Sequence, residues 1–190
     1  MVTTQSDEVA RALRELVNHG MNPETGDFDE IGFNARLSEL ASVCGLASAE
    51  NLEREIQQRS LCFQHYKKGL QSWEEQGLIR LVDPPEASRW NFQTLVLEIT
   101  TPELGIETLR YNAKSQGIEL GGTAQCWPMA KAYSSLQASH HPVATQMERS
   151  TLSLPLYGGL DLNDVARVCS VISETLEDLH RNTKKAGNLS

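Results

Sequence analysis

The sequence predicts an α/β (α+β) chain, in which a helical arm over residues 1–77 leads into a small unit of mixed strands and helices over 78–181. Three observations carry this expectation. Before position 77, apolar residues recur every three or four positions, the period of a helix with one buried face. After position 78, strand-length apolar runs are interleaved with helical ones. A chain of 190 residues is long enough for one core with a helical appendage. The expected division is 1–47, a long connecting helix at 48–77, the compact unit at 78–181 and a tail at 182–190.

Each element has its own signals. Ser6 precedes Asp7 and Glu8, an N-cap followed by acidic residues where the helix dipole favours them. Val9, Leu13 and Leu16 continue that helix until Gly20 stops it. Residues 21–33 read as a loop, with Asn22-Pro23 and Gly26 as turn signals. A second helix is expected over Asn34–Leu46. A third runs from Ser48 to about Gln76, with Leu52, Ile56, Phe63, Tyr66, Leu70 and Trp73 on one stripe. Arg59 falls on the same stripe. A charge there requires a carboxylate partner or an interface.

Leu78–Val82 is a short strand candidate, closed by Asp83-Pro84-Pro85. Trp90–Thr100 is the strongest strand signal, and its later part is apolar on both faces, which implies deep burial. Pro102 opens a helix through Gln116, and Gly117 ends it. Ile118–Leu120 and Leu152–Leu154 are further strand candidates. Asp161 caps a last helix with Val165, Val168, Ile172, Leu176 and Leu179 facing the core.

A net charge of −8 argues against binding to a phosphate backbone, which relies on dense Lys and Arg. The one basic cluster, Arg181 with Lys184-Lys185, reads as a solvated terminus. No apolar run approaches the roughly 20 residues of a membrane span. The opening residues are polar and acidic, unlike a signal peptide. The expected setting is therefore cytoplasmic, with Cys44, Cys62, Cys126 and Cys169 as buried free thiols.

Other constellations read as structural. Asn18-His19 and His140-His141 lack the spacing of a metal site. Ser153, Cys126 and the histidines have no nucleophile elbow. Gly121-Gly122-Thr123 reads as a plain turn without the spacing of a phosphate loop.

Four stretches, in order, resemble one family: the DegT-like (StrS-like) sugar aminotransferases, which use pyridoxal phosphate (PLP). They are the helix ending in Asn18-His19-Gly20, the run Gly32-Phe33-Asn34-Ala35-Arg36-Leu37-Ser38-Glu39-Leu40, the helix with Arg59, His65-Tyr66 and Leu70, and Leu152-Ser153-Leu154-Pro155-Leu156 followed by Asp161-Leu162-Asn163-Asp164-Val165. The resemblance covers Val2 to about Leu179.

It implies that 1–47 corresponds to the end of a large PLP-binding domain and that 78–181 is the small C-terminal domain. In the family the asparagine of the G-(Y/F)-N motif reaches the PLP phosphate of a neighbouring subunit. By resemblance that residue is Asn34, with Arg36 as a second candidate contact. On the residues alone Asn34 reads as the N-cap of the expected helix over 34–46; the resemblance sets the phosphate contact beside that reading, and one residue can serve both. The family's Schiff-base lysine precedes the segment that Val2-Thr3-Thr4 matches, so it has no counterpart here. The same holds for the acidic partner of the pyridinium nitrogen and for the phosphate cradle. Lys67, Lys68, Lys114, Lys131, Lys184 and Lys185 match no such position. Where the family carries a histidine after Pro-Leu, this chain reads Trp127-Pro128-Met129-Ala130.

No catalytic or metal-binding residue is therefore expected, and PLP is expected only in a complex with a partner chain. Two roles follow. The chain is a subunit of a dimeric or hetero-oligomeric aminotransferase whose lysine sits on another chain, or it is a non-catalytic paralogue that modulates a full-length enzyme.

Overall fold

The computed structural model describes residues 2–101, 104–123, 125–127, 130–133 and 141–187. The chain divides into two compact units, Met1–Asn51 and Leu52–Ser190. The division falls within a long helix and not at residues 77/78, where the sequence placed the end of a helical arm.

In the first unit, helix α1 spans Asp7–Val17, and the Ser6 side chain accepts from the Val9 N–H as its N-cap. His19 and Gly20 then take positive φ of 65° and 81°. The following segment is a loop held by an Asn22–Asp29 side-chain bond of 2.8 Å and a Met21–Phe28 bridge. Helix α2 spans Glu39–Glu75 without interruption. The expected break between a helix over 34–46 and one from Ser48 does not occur. Gly45 and Ser48 stay helical, and the Ser48 hydroxyl donates back to the Cys44 carbonyl at 2.9 Å. Serine inside a helix satisfies itself this way, so it need not mark a boundary.

The second unit is built on a four-stranded antiparallel sheet in the order β1-β2-β4-β3. The strands are β1 (Ile79–Leu81), β2 (Leu95–Ile99), β3 (Gly121–Gly122) and β4 (Thr151–Leu154). Helices α3 (Ile106–Ser115), α4 (Pro142–Ser150) and α5 (Leu162–Gly187) accompany it. Along β2, Leu95, Leu97 and Ile99 are buried while Val96 and Glu98 are half-buried. Burial of one such side chain contributes about 1.5–3 kcal/mol. Cys62, Phe63, Tyr66, Leu70 and Trp73 bring α2 into this core, and Val165, Val168, Ile172 and Leu176 bring α5. The two helices come close: a Cβ on Gly69 would lie 2.7 Å from Cys169 Sγ. Polar tips are satisfied at the same seam, with Trp73 donating to Ser173 at 3.0 Å and Tyr66 to the Pro155 carbonyl at 3.0 Å.

The structure corrects several expectations. The strand over Trp90–Thr100 shrinks to Leu95–Ile99. Phe92 takes φ of 50°, which takes it out of the extended region, and its ring packs with Trp90 and Phe63 instead. Ile118–Leu120 is not a strand. Gly121-Gly122 is one and not a plain turn, because it pairs with Ser153 and Leu152. The 3₁₀ turn Lys131–Tyr133 and helix α4 were not foreseen. Helix α5 runs through residue 181 to Gly187, into the expected tail. Of the four thiols, Cys62, Cys126 and Cys169 are buried and free, but Cys44 is exposed. Pro102, Pro128, Met129 and His140 lie outside the described residues.

Candidate functional site

Asn34 and Arg36 lie in the first unit, on exposed backbone between the loop and α2. Neither is helical. The helix begins at Glu39, and it is the Ser38 hydroxyl that accepts from the Ala41 N–H at 3.2 Å. The capping role open to Asn34 in the sequence therefore belongs to Ser38.

What fixes Asn34 is a short antiparallel crossing with the end of α1. Asn18 and Asn34 form the bridge. His19 N–H donates to Phe33 O at 3.0 Å, and Ala35 N–H donates to Val17 O at 3.0 Å. One further bond joins Phe33 N–H to Leu16 O at 2.7 Å. The crossing is possible because two glycines meet in it. A Cβ on Gly20 would lie 1.8 Å from Glu30 O, and one on Gly32 would lie 2.0 Å from Gly20 N. These are backbone atoms that cannot swing aside, so no side chain fits. Among the described residues, neither the Asn34 amide nor the Arg36 guanidinium has a hydrogen-bond or ion-pair partner.

The same unit buries no apolar side chain among the described residues. Ile31 is 91%, Leu40 77% and Leu37 74% exposed. The first lysine of the chain is Lys67, so residues 1–51 carry no lysine side chain.

Two cations of the second unit, Arg59 and Lys67, have carboxylate partners. Arg59 donates to Glu55 at 2.6 Å and to Asn91 O at 3.3 Å, meeting the requirement for a carboxylate partner. Lys67 bridges Glu74 at 3.0 Å and Asp83 at 3.1 Å instead of facing solvent alone. Burial works against its charge, but the two carboxylates prevail and hold its pKa above the ordinary lysine value. Burial pushes the Cys169 thiol up to about 11 and raises Cys62 as well. Both are therefore poor nucleophiles at neutral pH. Among the described residues no group of His, Cys, Asp and Glu could hold a metal ion, and no helix is long and apolar enough to cross a membrane.

A sequence model of the DegT/DnrJ/EryC1/StrS aminotransferase family matches residues 1–173. The chain belongs to this family. It is 27% identical over 181 residues to a UDP-N-acetyl-3-dehydro-alpha-D-glucosamine 3-aminotransferase of Acidithiobacillus ferrooxidans, a match that covers 93% of this chain and 46% of the relative. It is 25% identical over 184 residues to a GDP-perosamine synthase of Caulobacter vibrioides, covering 93% and 47%. The chain thus spans about half the length of the curated relatives it matches. Among solved structures, DesV of S. venezuelae superposes with a TM-score of 0.79 at 23% identity, over 92% of this chain and 46% of that one. That likeness shows the fold.

Sequence reasoning located Asn34 and Arg36 through the Gly-Phe-Asn-Ala-Arg run. It did not foresee that Asn18 stands opposite Asn34. The only signal for this was the pair of glycines, twelve residues apart, that let the two segments touch.

Proposed function

We propose that the chain is the C-terminal half of a PLP-dependent sugar aminotransferase, active only when another chain supplies the lysine. One juxtaposition supports the reading. The unit that carries Asn34 and Arg36 with uncommitted donors has no lysine and no buried apolar side chain. An amide and a guanidinium suit the phosphate end of PLP: the first donates without adding charge, the second adds it. When bound, PLP supplies the electron sink for moving an amino group from an amino acid to a keto-sugar. Asn34 holds the phosphate, Arg36 places positive charge beside it, and the second unit completes the small domain. Neither residue can form the covalent link. The partner is a PLP-binding chain or a full-length aminotransferase of the same family, in a cytoplasmic homo- or hetero-oligomer. Exposed apolar side chains such as Leu37, Leu40 and Ile31 are the surface such a partner covers.

The test is reductive trapping. The chain is purified alone, and again with a co-expressed family member bearing the lysine. Each sample is incubated with PLP, treated with borohydride and digested, and the modified lysine is located by mass spectrometry. The expected result is no label on this chain and label on the partner only when both are present. Label on any of this chain's own lysines in the isolated protein overturns the proposal. A complete aminotransferase that retains PLP equally well without this chain, but changes its rate with it, favours the modulator reading.

A further inference from the structure

Asn18 stands directly across the crossing from Asn34. The flanking bonds, His19 N–H to Phe33 O and Ala35 N–H to Val17 O, both 3.0 Å, lie outside the pair and not between its members. This is the closely spaced kind of antiparallel pair, whose two Cα atoms sit about 4.5 Å apart with their side chains on the same side. The Asn18 backbone is otherwise committed, since its N–H closes α1 on Glu15 O at 3.1 Å. Its side chain is not, and among the described residues the amide has no partner. Asn18 is half-buried while Asn34 is exposed, so the pair forms a step with its outer edge open. Two side-chain amides at one bridge offer four N–H donors with no formal charge.

We infer that Asn18 is a second anion-binding residue, acting with Asn34 as a two-amide clamp for a phosphoryl group. The inference rests on the reading of Asn34 as a cofactor-phosphate contact and adds to it a residue outside the Gly-Phe-Asn-Ala-Arg run. The Gly20–Gly32 contact gives the clamp its rigidity. Because those glycines meet backbone to backbone, the spacing of the two Cα atoms is set by main-chain hydrogen bonds and not by side-chain packing. A ligand that bridges both gains two directed donors without the entropic cost of ordering a loop. Arg36, two residues beyond Asn34, supplies the charge that the amides lack.

The test uses the full chain labelled with ¹⁵N, in its PLP-free complex with an unlabelled lysine-bearing family member, and its side-chain amide resonances are followed by NMR. It is titrated with inorganic phosphate, with PLP and, as a control without the phosphoryl group, with pyridoxal. The expected result is that the Asn18 and Asn34 amide pairs shift together, with one apparent Kd, for phosphate and PLP, and do not move with pyridoxal. Asn18→Asp keeps the shape and replaces the donors with a negative charge. It should weaken the phosphate response at Asn34 about tenfold or more, as loss of a hydrogen bond to a charged group implies. An unchanged thermal midpoint for Asn18→Asp shows that the crossing is intact. If Asn34 shifts and Asn18 does not, the clamp is overturned while the role of Asn34 stands. If neither shifts with phosphate or PLP, both are overturned. If both shift equally with pyridoxal, the site does not read the phosphoryl group and the clamp is again wrong.

Discussion

The two units of this chain solve opposite problems with similar residues. In Leu52–Ser190, leucines, isoleucines and valines from α2, α5 and the sheet are buried, many of them completely. In Met1–Asn51, Ile31, Leu37, Leu40 and Val43 are all exposed, and main-chain hydrogen bonds organise the crossing. One unit is held by its interior. The other is held by backbone pairing and presents its apolar side chains outward. The lesson is that apolar periodicity alone does not say whether a face closes on its own chain or awaits another.

Four experiments break or sharpen this contrast, beginning with the largest effect. Thiol labelling separates the units by orders of magnitude in rate. Cys44 is exposed and the other three are buried, with Cys169 further suppressed by a pKa of about 11. Ellman's reagent should therefore titrate one fast thiol in the native chain and four in denaturant. Two or more fast thiols would mean that the second unit's core is not closed. Next, Leu97→Ala, at a site with 0% exposure, should cost about 2–5 kcal/mol in urea unfolding. A loss below about 1 kcal/mol would place Leu97 outside a well-packed core.

A smaller effect belongs to Lys67. Its folded pKa is raised above the ordinary 10.5, so its contribution is full below that value and is lost as pH rises through the folded one. Lys67→Met should lower stability by about 1 kcal/mol at neutral pH, and the two proteins should converge in strong alkali. A constant gap across that range would show that the loss comes from packing. Smallest of all, Leu40→Ser, at a site 77% exposed, should leave the isolated chain within about 0.5 kcal/mol of the parent. In the complex with a lysine-bearing partner the same change should weaken association. Unaltered association would remove Leu40 from the covered surface.

Much of this architecture was legible in the sequence where local chemistry and burial agree. Ser6 caps α1, Asp161 opens α5, and the stripe from Phe63 to Trp73 faces a core. It was illegible where a non-local contact overrules a local pattern. Trp90 and Phe92 alternate like strand residues, yet they stack with Phe63 and leave the ladder. Gly121-Gly122 looks like a turn until β4 pairs with it. At the candidate site, Asn34 and Arg36 were singled out only through a run that resembles a family motif. The pairing with Asn18 depends on the Gly20–Gly32 contact, which has no signature within either segment.

The sheet has short margins. Its outer strands, β1 and β3, have three and two residues, too few to template a further strand. Any clumping of the isolated polypeptide should therefore proceed through the greasy outer surface of the first fifty residues, and not by strand addition. Such material should dissolve again in mild detergent and leave thioflavin dark.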